Sequence, residues 1–404
     1  MPARKFEYSD GKSHKFWNIE LGGSEVKVNY GRIGTDGQSK TKELADADAA
    51  KKEFEKLIKQ KMTKGYQEVG DAAGSSTGES GDGTGVLNPM MFSTTKDSDF
   101  SHLKTFIGHR VIVFAGEKSV KKGDQVYAIR MSWDEEGVSF EDHFQAFLKT
   151  DGPANTVGLV VGAWSLEGPE PCAPIVKMLC DNKDKFPKLV AIFFGDIEME
   201  ESEISWIEQG DLSPVLDAFP NLELLRVRGS TGLQFKNAKH DKLRAFAVES
   251  GGLAKEIVMQ VCKAKFPNLE HLELWLGTPD YGGDCRANDL QPILAGKAFP
   301  KLTYLGFRNS DIADDIAGVV VSSPVVEQLE TLDLSLGTLS DEGGNALLAR
   351  SEGGNLKRLD VYHHFMSAAT VKKVKELSLT VNATDKKEPE DWGDGEFRFV
   401  AIGE

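Results

Sequence analysis

Several groups of side chains have types and spacings that could do chemistry. Arg32 stands between Gly31 and Gly34 in NYGRIGTDGQ. An arginine held that way at a strand end can grip a phosphate. It can equally brace its own sheet or pair with an acid of the same domain. His363 and His364 lie close to Asp360, offering donors of the kind zinc takes. Neighbouring strand residues point to opposite faces, so the two rings do not converge on one ion, and ordinary polar residues at a strand end are expected. The stretch GDIEMEESEISWIEQGD places Asp196, Glu198, Glu200, Glu201, Glu203, Glu208 and Asp211 along one loop. Those carboxylates could hold a cation or a basic partner, but their spacing is not that of a calcium-binding hand. A solvated loop lengthening its segment is expected, with Trp206 packed beneath it. The sequence holds no GxSxG, no GxxxxGK[ST], no HExxH and no paired CxxC. The chain is therefore expected to be non-enzymatic, with no catalytic residues, metal or cofactor.

The elements that must position these residues fall into three stretches. Residues 1–69 form a head of short runs rich in aromatic and β-branched residues, KFEYS, HKFWNIEL and EVKVNYGRIG, parted by the turn sequences SDGKS, GGS and TDGQ. A helix follows, with Phe54, Leu57, Ile58 and Met62 on one face and Lys51, Lys52, Lys56, Lys59, Lys61 and Lys64 on the other. GYQEV is expected to return as a closing strand. Residues 70–95 open with GDAAGSSTGESGDGTG, which has too little apolar surface to offset chain entropy and reads as a flexible tether.

Beyond the tether the sequence repeats itself. FPKLVAIFFG, FPNLELLRVRG, HDKLRAFAVES, FPNLEHLELWLG, FPKLTYLGFRN, VEQLETLDLSLG and GGNLKRLDVYHH each carry apolar residues at relative positions 1, 4 and 6. Their first positions are Leu189, Leu222, Leu243, Leu269, Leu302, Leu329 and Leu356, and TVGLVVG adds an earlier copy led by Thr156. Successive copies lie 21 to 33 residues apart, with helix-like stretches such as GLAKEIVMQVCKA between them. One strand and one helix per such period is the pattern of a leucine-rich-repeat solenoid. A doubly wound sheet also alternates strand and helix, but its strands would not share one Leu-x-x-Leu-x-Leu register. The fold class expected is α/β: a small β-sheet-plus-helix head tethered to a solenoid of parallel strands and convex helices. Residues 96–155 are expected to cap the first repeat. Residues 156–404 form the solenoid, and EFRFVAIGE packs back to cover an edge. The asparagine that often follows position 6 by three places is replaced by Ser230, Gly277, Ser310, Gly337 and His364, so these turns must satisfy their backbone differently or with water.

With positions 1, 4 and 6 turned to the core, positions 3, 5 and 7 face the concave surface. These include Leu224, Arg226, Arg228, Glu249, His271, Glu273, Trp275, Tyr304, Arg308, Thr331, Asp333, Arg358, Asp360 and Tyr362. Trp275 and Tyr304 are expected as an exposed aromatic pair. Arginines and aromatics on a rigid face fit a protein-binding surface, for which Arg226, Arg228, His271, Glu273, Trp275, Tyr304, Arg308, Asp333, Arg358, Asp360 and Tyr362 are the candidates. The alternative is that the charges simply pair across strands.

Composition narrows the classes further. Hydrophobic residues at 40% and charged residues at 27% suit a globular chain, and no apolar run is long enough for a membrane span. Four irregularly spaced cysteines and the absence of a signal-peptide pattern suggest the cytoplasm. The net charge of −15 is uneven. Residues 1–69 hold 14 basic against 11 acidic residues, whereas residues 101–404 hold 33 against 47. Only the head suits a polyanion.

The head resembles the WGR domain, found in poly(ADP-ribose) polymerases and in bacterial proteins of the MolR type, on the aromatic pair Phe16-Trp17, NYGRIG, GQSKTKEL and the closing helix. That resemblance implies contact with DNA strand ends, with Tyr30 in the place of the motif tryptophan that packs on a sugar, Arg32 as the motif arginine, and Trp17 beside them. Tyrosine offers a smaller stacking surface than tryptophan. The body, from about Phe92 to Glu404, resembles bacterial leucine-rich-repeat proteins without an assigned activity. Together these imply a bacterial adaptor whose head meets DNA, RNA or an acidic partner and whose repeats bind a protein. A second possibility is a regulatory subunit of a nucleotide- or ADP-ribose-processing enzyme with its active site in a partner chain. A third is docking of the basic head on the acidic body.

Overall fold

The computed structural model describes residues 4–9, 14–32, 38–44, 46–63, 67–69, 87, 101–132, 137–349, 354–391, 393, 395 and 396–403. The expected tether falls almost wholly outside them. The chain divides into two compact units, Met1–Gly83 and Thr84–Glu404. Among the described residues no helix is long and apolar enough to cross a membrane.

The first unit is a five-stranded antiparallel sheet with one helix. Strands β1 (Arg4–Ser9), β2 (His14–Gly22), β3 (Glu25–Arg32), β4 (Gln38–Glu43) and β5 (Gln67–Val69) lie in the order β4-β3-β2-β1-β5. Gln67–Val69, the described part of GYQEV, thus supplies the closing strand, paired with β1. Helix α1 (Ala47–Thr63) starts where Asp46 accepts a hydrogen bond from the Ala49 amide, 2.7 Å. It lays Ala50, Phe54 and Ile58 on Trp17, Ile19, Leu21 and Val26, while Lys51, Lys52 and Lys56 stay exposed.

The second unit is built on one long sheet. Its strands are β6 (Thr105–Phe106), β7 (His109–Val113), β8 (Gln125–Ile129), β9 (Thr156–Gly162), β10 (Ala191–Asp196), β11 (Leu224–Arg228), β12 (Ala245–Glu249), β13 (His271–Gly277), β14 (Tyr304–Ser310), β15 (Thr331–Asp333), β16 (Arg358–Asp360) and β17 (Thr380–Asn382). They lie side by side in chain order. Every pairing from β7 to β17 is parallel, and β6 joins β7 antiparallel. The connections carry α2 (Phe140–Leu148), α3 (Ala173–Asp181), α4 (Ser213–Ala218), α5 (Lys255–Lys263), α6 (Gln291–Leu294), α7 (Ala313–Val320), α8 (Asp341–Leu348) and α9 (Ala368–Lys375). The result is a mixed α/β fold with a long, mostly parallel, open sheet.

The leucine register decides which face the helices cover. Positions 1, 4 and 6 of the copies are buried from Leu189 to Val361, apart from half-buried Leu356, and they pack with helix residues such as Phe144, Val258, Ile316 and Val374 into one continuous core. Helix α2 shows the local logic. Ser139 caps it with a reciprocal Asp142 box, and Phe140, Phe144 and Phe147 recur at helical spacing on its inner side. The opposite sheet face is apolar at one end, where Leu87, Phe106 and Ile107 cover Val126, Val160, Phe193 and Leu224. Strands β7 and β8, expected in a cap, extend the same sheet.

Where the recurring asparagine is missing, hydroxyls and an imidazole take its place. The Ser230 hydroxyl meets that of Ser250 at 2.6 Å and the Gly252 carbonyl at 2.9 Å. Ser310 accepts from the Ile312 amide, and His364 Nδ1 accepts from the Met366 amide. Gly277, with φ +66°, closes its turn by backbone approach. The C-terminal stretch departs from expectation. Short strands β18 (Glu390–Asp391) and β19 (Glu396–Phe397) pair with each other, so EFRFVAIGE adds no edge strand to the long sheet. Residues Arg398–Gly403 instead run across the strand ends. Asn309 exchanges hydrogen bonds with Ile402 at 2.6 and 3.0 Å, and the Ala401 amide donates to the Leu336 carbonyl at 2.8 Å.

Candidate interaction surfaces

In the head, Tyr30 sits in β3 opposite Trp17 and Gln38. It is half-buried, with the Lys40 ammonium 5.9 Å from its ring centre. Arg32 ends the strand opposite Lys15; its side chain, like the turn at residues 33–37, lies outside the description. Trp17 is corrected. It is 3% exposed, its ring packed under α1 against Phe54 and Ile58, so it holds the sheet to the helix and does not present a stacking face.

The expected concave-face residues do line one side of the sheet, but as an internally paired brace. Arg226, Arg228, His271, Glu273, Arg308, Asp333 and Asp360 are buried. Glu249 receives both arginines: Arg226 Nε at 2.6 Å and Arg228 Nε at 2.8 Å. Both guanidiniums also lie over the Phe193 ring. Glu273 collects the Trp275 indole N–H at 2.6 Å and Arg308 at 2.7 Å, with His271 at 3.3 Å. The His271 and Tyr304 rings stack at 3.8 Å, and the Tyr304 hydroxyl donates to Asp333 at 2.6 Å. Asp360 takes Arg358 at 3.1 Å and Asn382 at 2.9 and 3.0 Å. Parallel strands about 4.8 Å apart put each charge within reach of the next strand's, which is why the row closes on itself. Burial, with Asp333 and Glu273 alongside, pushes the Tyr304 hydroxyl well above its ordinary value. Burial pulls Arg308 down, but Glu273 and Asp333 outweigh it and raise it.

Trp275, expected as an exposed anchor, is 0% exposed. Ile204, Leu336 and Ile402 enclose it, with Tyr362 and Ala401 at the margin, and Arg308 lies 4.9 Å over its ring. Tyr304, Arg358 and Tyr362 are half-buried. His363 and His364 face separate partners: His363 meets the Phe399 carbonyl at 3.2 Å and Asp385 at 3.4 Å, while His364 caps Met366. Burial lowers both imidazoles.

The acidic loop after β10 reverses the other expectation. Trp206 is 59% exposed and Met199 52%. The loop between them is pinned. Ile204 is buried on Trp275, and Ile207 is buried where Gly229, at φ +90°, leaves no room for a Cβ. Thr231 Oγ1 donates to the Ser205 carbonyl at 2.9 Å. With Ile204 and Ile207 taking the inward positions, Trp206 points out. It stands at a cavity of about 410 Å³ between this loop and residues 164–170. On the far wall the Trp164 indole N–H donates to the Glu170 carbonyl at 2.7 Å.

Asp196 is no solvated loop acid either. It is buried, accepts from the Leu103 amide at 3.2 Å, and lies 3.4 Å from Arg130. His102 Nδ1 meets the Asp196 carbonyl at 3.1 Å, and its Nε2 faces Glu201 at 3.3 Å and Glu198 at 3.8 Å. Burial lowers this imidazole, but hydrogen bonds to Asp196 and Glu201 outweigh it and carry it up to about 9. The trio His102, Glu198 and Glu201 has the donor set of a divalent-cation site, with the imidazole's proton competing for the place. Sequence reading missed it because His102 lies 94 residues from Asp196.

Residues 3–73 match the WGR domain family. Over 65 residues the chain is 48% identical to the uncharacterized protein YfeS and 49% identical to protein YehF, both of Escherichia coli K12. The match is 16% of this chain and only 27% and 24% of those proteins. A Bacteroides fragilis protein known from a crystal structure is similar along nearly its whole length. It is 32% identical with a TM-score of 0.68, covering 96% of this chain and 97% of that one.

Proposed function

From a chain that carries a WGR domain and belongs to the same family as the Bacteroides fragilis protein, we propose a non-enzymatic interaction protein with two contact surfaces. We read the body as a leucine-rich-repeat solenoid. Seven leucine-led copies, one strand per copy and a strand order equal to the chain order support that reading. WGR domains are generally nucleic-acid binding, and the head's basic balance favours a polyanion at Tyr30 and Arg32.

The observation that carries the body's role is the outward-facing Trp206 on a pinned loop at the mouth of a cavity. An exposed tryptophan beside an exposed methionine is the composition of a protein-binding anchor, and a fixed loop lowers the ordering cost of binding. The contact therefore moves from the paired row around Glu249 and Glu273 to the loop beside it. A photo-crosslinking residue at position 199 of the full chain tests this. The protein captured there, once purified, binds the wild-type chain and binds Trp206→Ala at least tenfold more weakly. Equal affinity for both chains overturns the proposal.

A further inference from the structure

We propose that the cavity beside Trp206 takes a cationic side chain, an arginine or lysine of a basic segment in a partner protein. This rests on the body being a protein-binding unit and names the chemistry that the site selects.

The wall has two kinds of surface. Trp206, Met199, Leu166 and Pro169 supply apolar area, and Glu203 and Glu208 are among four glutamates on the lining. Among the described residues, no lysine, arginine or histidine lines it. Behind the wall His102 already engages Glu201, and Arg130 engages Asp196, so those acids are committed. Glu170, Glu203 and Glu208 are the other glutamates on the lining.

An anionic guest is repelled by such a lining. A purely apolar guest would leave carboxylates facing a dry wall. A guanidinium or ammonium on an aliphatic stem answers both surfaces: the stem lies along Met199, Leu166 and Pro169, and the charge meets the glutamates. The exposed indole face of Trp206 adds a cation–π contact. The volume of about 410 Å³ falls within the roughly 300–1,000 Å³ of sites that enclose a small ligand. The body's acid excess draws basic segments toward it at range.

The test uses the full chain, titrated by calorimetry with a hexa-arginine peptide and with hexa-citrulline, its neutral isostere. Hexa-arginine is expected to bind at least tenfold more tightly than hexa-citrulline. Trp206→Ala and the double variant Glu203→Gln/Glu208→Gln each weaken it at least tenfold, with unchanged thermal midpoints. An affinity for hexa-arginine within twofold of wild type in Trp206→Ala means the polycation sits elsewhere on the acidic body, and the proposal falls. Equal binding of the two peptides, with both lost in Trp206→Ala, also overturns it, while leaving the protein-binding role of the cavity intact. Trp206→Phe, which keeps an aromatic face, retains part of the affinity; a loss equal to that of Trp206→Ala counts against the cation–π contact.

Discussion

At the residue scale, His102 shows how one side chain joins distant parts of the chain. Its Nδ1 meets the carbonyl of Asp196 at the end of β10, and its Nε2 faces Glu201 in the acidic loop. An imidazole held up to about 9, against an ordinary 6.5, binds its proton more tightly in the folded state. Its stabilisation is therefore complete below about pH 6.5 and is lost as pH rises through about 9. Urea denaturation of the full chain is expected to give a midpoint that falls between pH 7 and pH 10. His102→Gln flattens that fall and lowers stability at pH 6.5 by about 1.5–3 kcal/mol, the range for a hydrogen bond to a charged group. A variant with the wild-type pH profile would show that His102 does not carry the effect. At Cys172 burial works in the other direction: it outweighs a backbone hydrogen bond and pushes the thiol up to about 12, which keeps it protonated at neutral pH.

At the element scale, what turns each strand into its loop is backbone approach as much as side-chain bonding. A Cβ on Gly277 would lie 1.8 Å from the Gly251 carbonyl oxygen, and its φ of +66° is itself unfavourable for other residues. Gly277→Ala is expected to cost about 2–4 kcal/mol, from strain and overpacking together. Gly282, at φ +94° with nothing nearer than 3.8 Å, is the control, and its alanine variant costs about 1 kcal/mol from strain alone. Equal losses would remove the role given to close approach. The same elements show what the sequence reveals and hides. Leu189 to Leu356 recur because every copy must fill one core, so strands, register and buried face were legible. The face carrying Arg226, Glu249, Glu273 and Trp275 was misjudged in exposure, because alternating charged residues read as solvated. Only the neighbouring strand reveals that Glu249 accepts from Arg226 and Glu273 from Arg308. Trp206 carried one usable signal: Ile204 and Ile207 compete with it for the inward positions of a short loop.

At the scale of the whole molecule, charge is unevenly spread along the chain, with 14 basic against 11 acidic residues in positions 1–69 and a large acid excess beyond residue 100. Nucleic-acid binding through the head is therefore expected to be weak and strongly salt-dependent. Nicked duplex DNA titrated with the full chain across a salt series should give a falling log K, and Arg32→Ala should make the slope shallower by about 1, the value of one phosphate contact. An unchanged slope would place the contact elsewhere.

The side-by-side strand order has a mechanical corollary. Each strand of the long sheet is bonded only to strands made just before and just after it, so a pulling force applied to the chain's two ends meets the ladders one at a time. The segment Arg398–Gly403, stitched to Asn309 and Leu336, stands across that route and must be torn away before β16 and β15 can peel. After it yields, each released copy of 21 to 33 residues pays out roughly 70–120 Å of extended chain. A molecule so arranged lengthens in steps under load, as a spring with one stiff catch.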